Sequence, residues 1–281
     1  MFRKTSKLVG LLLLLILSFM YTNSVFKSAR ASDPIMQEVI KYKEKNDIKP
    51  KEPIITDDEI ILGTSGLVVN AKKSYDKMKE NDKFNKEQIV YESKIPSNTI
   101  SKTYDYYIKQ GNQSKKQVAL IIKIDDNVDD IDGLLKLIAK YDVSVNFFVD
   151  GNWLESNVDS AFSIINLDCE LYNLGYQGKY DKKMISITNN LIESISLKKS
   201  NLCLSDDKND DDKEICKKKK MYTLTSTLKD PDIADIKKGL VKGAIISYSF
   251  ENLDTSNLGL IINTITSRGY EIKPLSEVIK E

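Results

Sequence analysis

The stretch Val118-Ala-Leu-Ile-Ile-Lys-Ile-Asp-Asp-Asn127 decides how the rest of the chain is read. Residues 118–124 form an apolar run broken only by Lys123, with the length and β-branched content of a buried strand. Asp125 and Asp126 follow at its end, where α/β proteins place their working groups. The pair reads either as the ligand end of a metal hydrolase or as a solvated turn.

Working outward, the pattern is regular. Residues 129–141 read as a helix with Leu134, Leu135, Leu137 and Ile138 on one face, and 144–149 as a second strand. Helices are expected over 155–165, 183–196, 232–240 and 257–267, and strands over 169–174, 221–225, 243–250 and 270–273. Strands alternating with helices predict a parallel sheet, open or closed into a barrel. The segment before 116 differs. Pro34, Pro50, Pro53 and Pro96 interrupt it and its charge is dense, which suggests a stalk and small cap. Within it, 36–46 and 72–80 read as helices, and 89–92 and 104–108 as strands. The organisation expected is a leader or anchor over 1–31, a stalk and cap over 32–115, and the main domain over 116–281.

Composition narrows the chemistry. The chain has 281 residues, 41% of them hydrophobic, and a net charge of +1. No basic stripe or RNA-binding motif appears, so nucleic acid is not an expected partner. There is no histidine. Histidine triads, Cys–His dyads and His-type zinc sites are therefore excluded, and carboxylate, Lys, Tyr or Cys chemistry survives.

The N-terminus carries an address. A basic start (Arg3, Lys4, Lys7) precedes an uncharged run from Leu8 to Tyr21, then the small-residue pattern Ala29-Arg-Ala31. It is either cleaved there or kept as a membrane anchor, the run 8–26 being near spanning length. The basic residues would hold the N-terminus inside, leaving the rest of the chain extracytoplasmic in either case. Export makes Cys203 and Cys216, 13 residues apart, a candidate disulfide worth about 3 kcal/mol. Two free thiols are the alternative. Cys169, with Leu167 and Leu171 nearby, reads as a buried thiol.

Val118-Ala-Leu120, Lys140-Tyr-Asp-Val-Ser-Val-Asn-Phe-Phe-Val-Asp-Gly151, Gly243-Ala-Ile-Ile-Ser-Tyr248, Arg268-Gly-Tyr270 and Pro274-Leu-Ser-Glu-Val278 together resemble the NodB-homology polysaccharide deacetylases over roughly 116–281. The resemblance implies an irregular (β/α) barrel with a small N-terminal extension. It also implies a reaction: a zinc ion held by one Asp and two His activates water against an N-acetyl group, with a second Asp and a late His moving protons. Matched residue by residue, the proton-accepting Asp falls on Lys123 and the metal-binding Asp on Ile124. The two His ligands fall on Leu174 and Gly178, and the late His on or near Ser249. The resemblance therefore implies a fold whose ligands and proton carriers are missing. Slipping the match by two residues would return Asp125 and Asp126 as fallback metal ligands and zinc as cofactor; otherwise no cofactor is expected.

Other residues have a sharp and a bland reading each. Asp125, Asp126, Asp129, Asp130 and Asp132 could suggest a calcium loop, but the required Gly and Glu positions are absent, and helix capping explains them better. Lys123 and Asp150 lie where a glycan could be touched. Trp153, Tyr172 and Tyr176 could stack on a sugar ring, the alternative being that Trp153 packs the strand–helix corner. The acidic run 206–214 and the lysines 217–220 read as solvated faces. The expectation is a catalytically inactive envelope protein that binds cell-wall glycan or an envelope protein, associated with the membrane through its N-terminal segment. An active deacetylase with an atypical metal site and a purely structural protein are the alternatives.

Overall fold

The computed structural model describes residues 2–100, 103–125, 127, 128 and 130–280; for 2–11, 13 and 256 it describes the backbone alone. The elements run α1 (Phe2–Ser32), α2 (Pro34–Asn46), β1 (Ile54–Thr56), β2 (Glu59–Ile61), β3 (Gly66–Val69), α3 (Ala71–Lys79), β4 (Tyr91–Lys94), β5 (Tyr107–Gln110), β6 (Gln117–Ile124) and α4 (Asp132–Tyr141). There follow β7 (Asn146–Val149), α5 (Gly151–Ser156), α6 (Val158–Asn166), β8 (Glu170–Asn173), α7 (Lys182–Ser196), β9 (Leu202–Leu204), α8 (Asp210–Lys218) and β10 (Tyr222–Leu224). The chain closes with β11 (Leu228–Lys229), α9 (Ile233–Gly239), β12 (Ile245–Ser249), α10 (Thr255–Ser267), β13 (Glu271–Ile272) and α11 (Leu275–Val278).

The chain divides into two compact units, Met1–Pro50 with Gly66–Lys94, and Lys51–Ser65 with Ile95–Glu281. In the first unit, Asp33 caps α2 by accepting Ile35 N–H, and Pro34 takes the first-turn position where a missing N–H costs nothing. Asn70 caps α3 in the same way through Lys73 N–H. Strands β3 and β4 pair antiparallel, Gly66 opposite Lys94. Ile35, Met36, Val39, Val69, Tyr75 and Met78 close over a small core. Gly66 is required: a Cβ there would lie 2.3 Å from the Ile48 carbonyl oxygen. Among the described residues no helix is long and apolar enough to cross a membrane. The side chains of 1–11, which include the basic start and the first leucines of the expected anchor, lie outside them.

The second unit is an α/β structure. A sheet of order β11-β12-β6-β7-β8 has parallel neighbours, with β13 also pairing β6. A second sheet runs β1-β2-β5-β10-β9 and is parallel except for the β1–β2 hairpin. Strand β6 shows how the two faces are filled. Val118, Leu120, Ile122 and Ile124 join Leu134, Ile138, Ile164, Ile236, Leu258 and Ile262 in the core between sheet and helices. Ala119 and Ile121 point the other way, to the core between the sheets with Ile108, Phe148, Tyr172, Leu204, Leu224 and Ile245. Each fully buried side chain of this size stabilises by about 1.5–3 kcal/mol.

Side chains join the two sheets where ladders stop. Asn173 N–H donates to Ser200 Oγ (3.2 Å), and the Tyr180 hydroxyl bridges Asn173 O (2.6 Å) and Leu204 N (3.4 Å). On the other side the Thr227 hydroxyl donates to Lys109 O (2.6 Å), while its N–H donates to Ile245 O (2.8 Å). The expected barrel is thus an irregular pair of sheets without a continuous ladder among the described residues. The boundary read at 115 coincides with neither unit. Strands β1, β2 and β5 belong to the second unit's sheet, and Ile60, Leu62 and Ile108 fill its inner core. Cues for a stalk, proline and charge, mark the loops around these strands rather than the strands themselves. The elements not expected include β9, and α8, which takes in 210–214 of the run read as a solvated acidic loop.

Candidate functional site

The inner core ends in a polar tier. Side chains along a strand repeat their facing every second residue, so the position two beyond each inward apolar residue also faces in. From Ile121, Phe148, Tyr172, Leu204, Leu224 and Ile245 this step reaches Lys123, Asp150, Leu174, Asp206, Ser226 and Ser247. These six positions form the mouth at the carboxyl ends of the strands, where ligand sites of such folds lie.

Asp206 is the centre of one half. Its side chain is 4% exposed and that of Lys123 is 16% exposed. The Lys123 ammonium donates to Asp206 Oδ2 at 3.0 Å, and the Ser247 hydroxyl donates to the same oxygen at 2.8 Å. The Ser226 hydroxyl (2.6 Å) and N–H (3.1 Å) both donate to Oδ1. A buried carboxylate tolerates desolvation only when opposite charge and hydrogen bonds fill its lone pairs, and here four donors do so. Outside it lie further pairs. Lys229 holds the Asp207 carboxyl below its usual value, and Asp207 in turn raises Lys229. Burial works to raise the Glu59 carboxyl, but Lys109 and Lys208 outweigh it and its pKa lies below the usual value.

Asp150 is the centre of the other half. It is 2% exposed and caps α5 through Asn152 N–H (2.7 Å). It also accepts Gln177 N–H (3.0 Å) and Gly178 N–H (2.9 Å). The 175–178 turn that brings these amides round has positive φ at Gly175 (87°), Gln177 (51°) and Gly178 (65°). Asn173 secures its start, accepting Gly175 N–H at 2.7 Å while its amide donates to Ile185 O and Asn189 Oδ1.

The positions matched to the deacetylase ligands are therefore all occupied otherwise. Ile124 is buried against the helices, Leu174 packs on the inner core, and Gly178 gives its N–H to Asp150. Ser249, matched to the late proton donor, gives its N–H to Asp230 at 2.9 Å. Among the described residues no group of three or more His, Cys, Asp or Glu could hold a metal. Of the fallback ligands, Asp126 lies outside the described residues, as does Asp129. Among the described residues the Asp206 half does not fit zinc: its carboxylate is engaged by four donors, and the ammonium beside it repels a second cation.

The sugar-stacking reading is corrected for two aromatics, and for Trp153 the packing alternative describes its place. Trp153 is 1% exposed and packs in the core between sheet and helices, so its indole faces offer nothing to a sugar. Tyr172 is buried between the sheets, stacked on Phe148 with ring centroids 5.1 Å apart, its hydroxyl donating to Glu170 at 2.7 Å. Only Tyr176 is half-exposed, and its hydroxyl is given to Glu155 at 2.7 Å. Cys203 and Cys216 are joined in a disulfide that ties β9 to α8, clamping both ends of the segment that carries Asp206. Cys169 is free and buried, which pushes its thiol up to about 11.

Asp206, Ser226 and Ser247 escaped the sequence reading. Asp206 falls within the acidic run, although the alternation Leu202, Leu204, Asp206 places it inward.

No family model matches the chain. A stretch of 149 residues is 31% identical to the uncharacterised protein YlxY of Bacillus subtilis (strain 168), covering 52% of this chain and 46% of that protein. The chain thus spans about half the length of the curated relative it matches. Among solved structures, wild-type BA3943 from Bacillus anthracis, a CE4 family pseudoenzyme, superposes with a TM-score of 0.66 at 22% identity, covering 89% of this chain and 96% of that chain. The Bc1960 peptidoglycan N-acetylglucosamine deacetylase superposes with a TM-score of 0.54 at 14% identity, over 62% and 92%. The fold is that of these polysaccharide-deacetylase-type proteins.

Proposed function

We propose that this chain is an extracytoplasmic deacetylase-fold protein without hydrolytic activity, which binds envelope glycan or an envelope partner. The observation that carries the reading is the Lys123–Asp206 pair. Metal-assisted deacetylation needs an open coordination position and a free base beside it. Here the strand-end position matched to that base carries a lysine, whose ammonium donates a hydrogen bond to the carboxylate opposite. The fold shared with BA3943, itself a pseudoenzyme, supports the same conclusion. Export is supported by the Cys203–Cys216 disulfide, which persists in oxidising compartments, and by the basic-then-apolar N-terminal segment.

The test is metal content and turnover of the purified chain. Elemental analysis is expected to find no stoichiometric zinc after incubation with zinc and gel filtration, and N-acetylated chitin oligomers are expected to release no acetate. Bound zinc that disappears in Asp125→Ala, with acetate released, would make the chain an enzyme and overturn the proposal. Retention on insoluble cell wall separates the binding role from a purely structural one; a chain that washes through would refute the binding role.

A further inference from the structure

We infer that the first unit carries a glycan-binding surface of its own, formed around Phe84 and suited to an acidic sugar chain. Two hollows share Phe84 as a wall. One, of about 480 Å³, is lined by Lys41, Tyr42, Lys45 and Lys86. The other, of about 390 Å³, is lined by Asn81, Lys83, Asn85 and Gln88. Every one of these residues belongs to the first unit.

Three features point to the ligand. First, the aromatic pair is positioned rather than incidental. The rings of Tyr42 and Phe84 lie 6.0 Å apart at 50°, and the Tyr42 hydroxyl is held by that of Tyr91 at 3.1 Å. Aromatic faces beside polar groups suit the apolar face of a sugar ring. Second, the hydrogen-bonding groups are amides. Asn85 uses its Oδ1 to accept Glu87 N–H, which leaves its NH2 as the donor to a ligand. Gln88 Oε1 is shut from solvent and has no hydrogen-bond partner. A buried carbonyl without a partner is costly, so turning the amide outward to a sugar hydroxyl is favourable. Third, the charge is one-sided. Lys41, Lys45, Lys83 and Lys86 line the hollows against the single acid Glu38. Lys41 and Lys45 sit one turn apart on α2, a like-charge spacing that weakens a helix and is relieved by a bound anion.

Lysines alone would fit a phospholipid headgroup equally. The aromatic wall and the amides in the same hollows favour a polyhydroxylated ring carrying carboxylates. The inference rests on the glycan half of the proposed function and is independent of the loss of catalysis, so its failure leaves the zinc and acetate results standing.

The experiment is calorimetric titration of the full chain, in neutral detergent, with an oligogalacturonate. Chitin oligomers serve as the neutral control and glycerol phosphate as the soluble headgroup. Binding is expected with the acidic oligomer, weakening as salt rises, and about tenfold weaker with the neutral one. Phe84→Leu keeps an apolar side chain in the core but removes the ring, and should weaken binding about tenfold. Lys41→Gln with Lys45→Gln should weaken it similarly and flatten the salt dependence. No binding, binding indifferent to Phe84→Leu, or glycerol phosphate binding as tightly as the oligomer would each overturn the inference, the last assigning the surface to anions in general.

Discussion

Asp206 and Asp150 stand in the same polar tier, and their carboxylates are satisfied by opposite means. Asp206 depends on side chains: one ammonium and two hydroxyls from three different strands or strand ends, plus one N–H. Asp150 depends on backbone alone, three N–H groups from its own helix start and one turn. A carboxylate held by side chains can be undone by one substitution elsewhere in the chain. One held by backbone survives any substitution that spares the turn. The difference shows two independent ways in which a fold of this type can close a site that metal would otherwise organise.

The comparison can be broken most decisively at Lys123. Lys123→Met leaves Asp206 buried without its counter-charge and should cost about 3–5 kcal/mol, read as a lowered urea midpoint. The double change Lys123→Met with Asp206→Leu should recover most of that loss; if it does not, the pair is not the reason for the cost. Next in size is the clamp on the Asp206 segment. Replacing Cys203 and Cys216 by alanine should cost about 3 kcal/mol, and a reducing agent should lower the melting temperature of the parent but not of this variant. The Asp150 half should yield less. Asp150→Ala removes the acceptor of three N–H groups, but Gln177 and Gly178 are exposed and water can serve them, so the loss should be about 1–3 kcal/mol, and proteolysis within 175–178 should accelerate. Equal losses at Lys123 and Asp150 would refute the distinction.

The smallest effect is acid sensitivity at the rim. Glu59 titrates below its ordinary 4.5 in the folded chain. The unfolded chain then binds more protons through this range, so the contribution is complete above about pH 4.5 and is lost as pH falls through the lower, folded value. Glu59→Gln should flatten that part of the stability–pH curve, measured by thermal melts from neutral to acid, while Lys123→Met should leave it in place.

Much of the second unit was legible because period and punctuation agree there. The run 118–124, the Leu134–Ile138 face and the 243–250 strand all signal their state locally. The missing ligands were legible too, since no histidine exists to misplace. What replaced them was not. Lys123 and Asp206 are 83 residues apart, and no local signal links them. Asp206 also opens a run of acids most of whose other members are exposed, so composition hid a residue that alternation would have turned inward. Trp153 and Tyr172 illustrate the converse. An aromatic near a strand end suits a ligand and a core equally, and only packing decides. The short strands β1 and β2 were missed because three residues each give too little periodicity to register.

The way the two units are threaded has a mechanical consequence. The chain passes from one to the other at 50–51, 65–66 and 94–95, so three covalent links join them. A single protease nick at any of these links leaves two intact, and neither piece is released. By the same token a fragment beginning at 116 would not be an excised module. It would lack β1, β2 and β5, leave β10 with an open edge, and expose the cavity that Ile60, Leu62 and Ile108 fill, which is a recipe for precipitation rather than an isolated folded body.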